Sequence, residues 1–217
     1  MPALLTLTSF LTLDGVTQAP GGPDEDTSDG FVHGGWVVPH FDADMGATID
    51  GIFAKAGAFL LGRRTYDIFA SHWPKVTDPA DAVAARLNAL PKHVASRTQA
   101  AFAWRGTSLV RDVPREVAAL KRSVQGELQV HGGSDLAQTL MAHDLIDEYR
   151  LFAFPVLLGS GRRLFGRGVV PSTLTLATSH STSAGVVFCV YRRRGALATG
   201  NVVLNDDGTY RLVPPSP

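Results

Sequence analysis

Cysteine is almost absent from this chain: Cys189 is the only one among 217 residues. One thiol excludes a disulfide framework within the chain and any Cys-based zinc site. Basic residues are missing from the first quarter. Residues 1–54 hold eight acids and no Lys or Arg, a net −8, whereas residues 55–217 hold all 20 bases and 12 acids, a net +8. An anionic ligand is therefore expected on the later part. The formal net charge is zero, which argues against a nucleic-acid protein that relies on bulk positive charge. No apolar run approaches the ~18 residues of a membrane span. The longest, Leu151 to Leu158, is interrupted by Pro155. The N-terminus lacks the basic flank of a secretion signal. These absences predict a soluble, cytoplasmic protein without membrane or nucleic-acid partners. The seven histidines are scattered, and no pair has the spacing of a helical zinc motif, so no metal is expected. No internal repeat is evident.

The remaining pattern alternates strands with helices. Ala3–Leu13 reads as a buried first strand, ended by Asp14-Gly15. Residues 18–40 form a long Gly-rich acidic stretch, and its aromatics Phe31 and Trp36 favour an ordered, functional loop. Helices are predicted over Asp42–Ala56, Arg64–Ser71, Ala80–Leu90, Pro114–Ser123 and Asp135–Ala142. Strands are predicted over Ala58–Leu61, Lys92–Ser96, Ser108–Val110, Leu128–His131 and Glu148–Phe154. Leu174–Thr178 and Val186–Arg192 read as an antiparallel pair. Val202–Leu204 and Tyr210–Val213 flank Asp207-Gly208, a strong hairpin signal. The tail from Pro214 to Pro217 is expected to be disordered. The pattern predicts an α/β fold with a mixed, mainly parallel central sheet flanked by helices and antiparallel at its C-terminal end.

Three segments share one form: an apolar strand, a Gly or small polar turn, then a helix or its approach. They are Gly62-Arg63-Arg64-Thr65, Ser96-Arg97-Thr98 and Gly132-Gly133-Ser134-Asp135. Ligands of open α/β sheets bind beyond the carboxyl ends of strands, and a helix N-terminus offers free N–H groups to an anion. Two of the turns carry Arg, which pairs phosphate directly. A phosphate-bearing cofactor is the expectation. Gly159-Ser-Gly161-Arg-Arg-Leu-Phe-Gly166 matches neither a dinucleotide fingerprint nor a P-loop.

The order Leu13-Asp14-Gly15, Gly62-Arg-Arg-Thr-Tyr66, Ser96-Arg-Thr98, Gly132-Gly-Ser134, Asp147-Glu-Tyr-Arg-Leu151 and Pro155-Val-Leu-Leu-Gly159-Ser-Gly161 closely resembles the dihydrofolate reductase-like superfamily. Within it, the chain is similar to stand-alone relatives of the reductase domain of riboflavin-biosynthesis deaminase-reductase proteins (the RibD C-terminal type). The resemblance covers residues 3–194, taken as one domain 1–194, with 195–217 as a hairpin extension and tail. It implies an NADPH-dependent reductase of a small heterocyclic or carbonyl substrate, pterin- or pyrimidine-like. Gly62, Arg63 and Thr65 would lie along the pyrophosphate and ribose. Ser96 and Arg97 would meet the adenosine 2′-phosphate, and Gly132, Gly133, Ser134 and Asp135 would wrap the pyrophosphate. Asp14 matches a carboxylate that could assist protonation; a turn role is the alternative. Trp36 and Tyr66 could stack on a planar substrate, with core packing as the alternative. The deaminase half of such proteins needs His-x-Glu and Pro-Cys-x-x-Cys for zinc, which this chain lacks. A non-catalytic binding protein or dimeric scaffold of the same fold is the rival reading. Relatives of this type are commonly homodimers, and a homodimer is expected here.

Overall fold

The computed structural model describes residues 2–98, 101–166 and 169–214. Eight strands form one sheet: β1 (Leu5–Thr12), β2 (Ala56–Gly62), β3 (Lys92–Ala95), β4 (Thr107–Val110), β5 (Glu127–His131), β6 (Glu148–Phe154), β7 (Ser172–Ser181) and β8 (Val187–Ala196). Their order is β4-β3-β2-β5-β1-β6-β8-β7. The first six run parallel, while β8 pairs antiparallel with both β6 and β7. This is the mixed sheet that the sequence pattern predicts. Five helices connect it: α1 (Ala43–Phe53), α2 (Arg63–His72), α3 (Ala82–Ala89), α4 (Val113–Ser123) and α5 (Ser134–Ala142). Among the described residues no helix is long and apolar enough to cross a membrane.

Alternation along the strands sets the two faces of the sheet. Ala58 and Leu60 of β2 join Leu5, Leu7, Leu128 and Val130 under α4 and α5, where Val117, Leu136 and Leu140 are buried. Phe59 and Leu61, one residue out of phase, join Val94, Phe53, Tyr66, Leu87 and Trp104 on the opposite face. A third cluster covers β6 and β8 with Trp36, Met45 and Ile52. The expected strand Ala3–Leu13 is trimmed to Leu5–Thr12, and the helix expected from Asp42 starts at Ala43 because Asp42 is its cap. The last two strands of the sheet are longer than expected. Their Thr, Ser and Arg residues continue the ladder at a solvent-facing edge, where no apolar face is demanded.

The helix starts fall into two groups. Asp42, Asp81 and Asp112 cap α1, α3 and α4 by accepting from the N–H of Met45, Ala84 and Arg115 at 2.8, 2.8 and 3.2 Å. In contrast, α2 begins at Gly62 and α5 at Gly133, and neither has a side-chain cap. Those two starts adjoin the site described below.

The hairpin around Asp207-Gly208 forms as expected, as β9 (Asn201–Leu204) and β10 (Tyr210–Val213). It is a separate two-stranded sheet with Val202, Leu204, Tyr210 and Leu212 exposed. Of the tail expected to be disordered, residues 215–217 lie outside the described residues.

Candidate functional site

A cleft of about 1330 Å³ opens at the carboxyl ends of the parallel strands. Single small ligands usually occupy about 300–1,000 Å³, so this cleft has room for an extended cofactor beside a second reactant. The three turns selected from the sequence follow β2, β3 and β5. Strand β2 lies between the other two, so the turns sit side by side. Gly62, Arg63, Thr65, Ser96, Arg97, Gly132, Gly133, Ser134 and Asp135 all line the cleft.

Backbone geometry explains the second glycine of Gly132-Gly133. Gly133 has φ +75°, the left-handed region that glycine enters without penalty. A Cβ there would stand 3.0 Å from Thr65 Oγ1 and 4.0 Å from the Gly62 N–H. The starts of α2 and α5 therefore converge on one spot. Their first-turn N–H groups have no intrahelical partner and no side-chain cap, which is the arrangement that accepts an anion. Arg97 and Arg111 line the same end, and Arg111 Nη1 donates to the Ser96 carbonyl at 3.1 Å.

Residues 18–40 are folded down as an ordered lid. Gln18 donates to the carbonyls of Asp26 and Ser28 at 3.1 and 3.0 Å. Arg162 pairs with Asp26 at 2.8 Å and also holds Ser28 and Asp29. Arg64, at the start of α2, reaches Asp26 at 3.5 Å. The acidic N-terminal segment thus meets the basic later part across the cleft. Gly161, next to Arg162, allows a close approach: with φ +112°, a Cβ would lie 2.7 and 2.8 Å from Val16 and Phe31. Glu25, within residues 18–40, lines the cleft and accepts from the Gly21 N–H. Burial raises its carboxyl pKa above the ordinary value, and neighbouring Asp26 pushes the same way.

Three residues expected at the site lie elsewhere. Asp14 does not line the cleft. Its Oδ1 accepts from Thr12 Oγ1 at 2.6 Å and the Leu158 N–H at 3.2 Å; its Oδ2 accepts from the Gly159 N–H at 2.9 Å and Arg163 at 3.3 Å. These bonds, the Thr12 hydroxyl first, hold its carboxyl far below the usual range, so it carries no proton to donate. Trp36 is buried on Phe154, with its indole N–H given to the Gln18 carbonyl at 2.8 Å. Tyr66 is 3% exposed and its hydroxyl accepts from the Trp104 N–H at 3.1 Å. Both are core aromatics that brace the lid and α2, and neither reaches the cleft. Phe69 and Trp73 do line it.

The inner wall holds residues that the sequence did not single out for the site, Thr8 and Phe10 of β1 and Ile49 and Phe53 of α1. His131, at the end of β5, joins them there. Its ring is stacked on Phe53 with centroids 4.4 Å apart. Burial, aided by the Arg150 charge, pushes its pKa down to about 3, so the imidazole is neutral.

Similarity to known proteins agrees with this architecture. Residues 3–188 match the RibD C-terminal domain family. The uncharacterized protein YyaP of Bacillus subtilis (strain 168) is 30% identical over 176 residues, spanning 78% of this chain and 92% of that protein. Among the solved structures that share the fold are two enzymes. One is the diaminohydroxyphosphoribosylaminopyrimidine deaminase/5-amino-6-(5-phosphoribosylamino)uracil reductase of Thermotoga maritima, at 13% identity and a TM-score of 0.59, covering 89% of this chain and 57% of that one. The other is a dihydrofolate reductase from Enterococcus faecalis complexed with NADP(H) and RAB-propyl, at 13% identity and a TM-score of 0.57, covering 88% and 96% of the two chains. With a matching domain over nearly its whole length and the strand order described above, the chain belongs to the RibD C-terminal domain family and has a dihydrofolate reductase-like fold.

Proposed function

We propose that the protein is an oxidoreductase, an NADPH-dependent reductase of a small heterocyclic substrate. One observation carries the reading: two uncapped helix starts and an arginine-bearing turn, on three neighbouring strands, surround one cleft large enough for two molecules. The reductase part of the Thermotoga maritima protein's name and the NADP(H) held by the Enterococcus faecalis enzyme support it.

In this reading Gly132, Gly133, Ser134 and Asp135, with Gly62, Arg63 and Thr65, hold the pyrophosphate through backbone N–H groups. Ser96 and Arg97, beside Arg111, hold the 2′-phosphate. The nicotinamide, when bound, supplies a hydride. The lid clamped by Arg162 excludes water from the substrate end. Glu25, whose carboxyl burial keeps protonated to higher pH than an exposed Glu, supplies the proton. The test is titration with NADPH followed by its oxidation in the presence of pterin, pyrimidine and quinone substrates. Binding without oxidation of any of them points to the non-catalytic reading, and absence of binding removes the cofactor altogether.

Arg97 sets cofactor choice in this scheme. A charge-assisted hydrogen bond is worth ~1.5–3 kcal/mol. Arg97→Ala is therefore expected to weaken NADPH by roughly 10- to 100-fold and leave NADH almost unchanged, as read by fluorescence titration. An equal loss for both cofactors assigns Arg97 a structural role only.

Assembly is proposed as a twofold homodimer. A two-stranded hairpin is marginal alone, and five large apolar side chains of β9–β10 are exposed: Val202, Leu204, Tyr210, Leu212 and Val213. The expected result is a dimer by light scattering that weakens when the chain is truncated after Arg194. A full-length monomer refutes the dimer; a truncated chain that stays dimeric refutes only the hairpin's part in it.

A further inference from the structure

Alternate residues of β5, Glu127, Gln129 and His131, form a polar row beneath α1, where an apolar face would be expected. The row is held from its outer end. Arg150 donates to both oxygens of Glu127 at 2.7 Å and to Glu148 at 2.7 Å. Gln129 then spends both its N–H bonds, one on Glu127 Oε2 at 2.8 Å and one on the Ile52 carbonyl at 2.7 Å. Its amide cannot turn over without losing both. Gln129 Oε1 is left as an acceptor, and it lies 3.0 Å from His131 Nε2. An acceptor there requires the proton on Nε2, which leaves Nδ1 with a bare lone pair. Among the described residues Nδ1 has no hydrogen-bond partner, and His131 lines the cleft.

A buried polar atom without a partner stands beside it. Thr8 of β1 is the direct register partner of His131, so the two side chains share a face of the sheet. Thr8 Oγ1 is buried without a hydrogen-bond partner, and Thr8 also lines the cleft. Buried polar atoms are nearly always paired, and exceptions commonly mark a binding position. Thr6 Oγ1, two residues earlier on β1, is also buried without a partner, but of the two only Thr8 lines the cleft. Thr8 Oγ1 and the cleft-facing Nδ1 of His131, on adjacent strands at the wall that Phe53 also lines, describe an incomplete hydrogen-bonding site. The ligand group that completes it must donate, because Nδ1 can only accept. A carboxylate has no proton to give at neutral pH and a phosphate is mostly without one, which points to an N–H or O–H on a planar ring that lies near Phe53.

We propose that His131 and Thr8 form a specificity subsite that reads a ring or exocyclic N–H of the substrate, with His131 Nδ1 as the acceptor. The proposal rests on the reductase reading above, in which the cofactor occupies the three turns and the substrate the inner wall. Gln129 is a positioning residue that fixes the tautomer. The nicotinamide carboxamide also carries N–H groups, so the cofactor is the competing source of the same chemistry, and the test separates the two.

The experiment uses the full chain saturated with NADPH. It compares 2,4-diaminopyrimidine with 2,4-dimethylpyrimidine, in which methyl groups of similar size replace the amino groups, at a pH where both are neutral. Wild type is expected to prefer the diamino compound by at least about fivefold, as one net hydrogen bond predicts. His131→Phe keeps a ring against Phe53 and removes the acceptor, so the preference should vanish. Thr8→Val is nearly isosteric and should reduce it, which keeps the proposal testable if His131→Phe does not fold. NADPH affinity should be unchanged in both. An undiminished preference in the folded variants overturns the subsite, as does a loss of NADPH affinity matching the loss for the pyrimidine. Wild type that binds NADPH but neither pyrimidine also overturns it and leaves the cofactor reading standing. Failure to bind NADPH removes both.

Discussion

Gly133→Val is expected to leave a folded protein that no longer binds NADPH. Two effects act together. Gly133 sits at φ +75°, where a β-branched residue is strongly disfavoured. Its added Cβ would also press on Thr65 Oγ1, at 3.0 Å, and stand 4.0 Å from the Gly62 nitrogen, in the gap between the two helix starts. That gap is where a pyrophosphate would lie. Losing two charge-assisted hydrogen bonds, at ~1.5–3 kcal/mol each, corresponds to an affinity loss of roughly 10²- to 10⁴-fold. Fluorescence titration measures the loss, and circular dichroism checks the fold. Gly132→Ala is the companion variant. Its Cβ would meet nothing within 4 Å, so it carries the backbone strain at φ +62° without the intrusion. It should bind NADPH more tightly than Gly133→Val does. Normal affinity in folded Gly133→Val would take this turn out of the site.

The three turns were legible because each is local: an apolar run, then Gly or Ser, followed at two of the three by a helix start. Their adjacency was not, since the order β3-β2-β5 depends on which strands pair across 30 or more residues. The same distinction explains Asp14. Asp-Gly after a strand is a local signal that fits a turn or a catalytic carboxylate equally well. The partners that decide between them, Leu158, Gly159 and Arg163, lie 144 to 149 residues away. Trp36 and Tyr66 were ambiguous for another reason. A large ring suits a core and a binding wall alike, and only the Gln18 carbonyl and the Trp104 N–H show that their polar tips are used inside. The charge asymmetry was more informative than any single acid, since it foreshadowed Arg162 and Arg64 gripping Asp26. The polar row of β5 alternates along the strand, a pattern that normally marks a solvent face, and in the sequence it reads only as a strand. Here α1 covers it, and the row becomes an internal support for His131.

Glu25→Gln is expected to lower turnover by about 10²-fold, the scale of a lost general acid, while NADPH affinity stays within twofold. Asp14→Asn should do the reverse, keeping turnover near wild type and lowering the melting temperature. The two carboxyls sit in opposite surroundings. Partial burial destabilises the charged form of Glu25 and raises its pKa, so it keeps its proton to a higher pH than an exposed Glu. Wild-type turnover should therefore be highest below that raised pKa and fall about tenfold per pH unit above it; Glu25→Gln should show no such limb. Asp14 has the opposite sign. Its folded-state pKa is depressed by Thr12, Gly159, Leu158 and Arg163, so its contribution to stability is present above the unfolded value near 4. That contribution is lost only as pH falls through the depressed folded value. At neutral pH the charged carboxylate accepts one bond from Thr12 of β1 and three that tie the end of β1 to residues 158–163, the segment that carries the Arg162 clamp. Asn offers one acceptor oxygen in place of two and adds an N–H₂ facing the Gly159 and Arg163 donors. Pre-steady-state measurement of NADPH oxidation across pH separates the roles. A pH limb that survives in Glu25→Gln, or one that disappears in Asp14→Asn, would reverse the assignment.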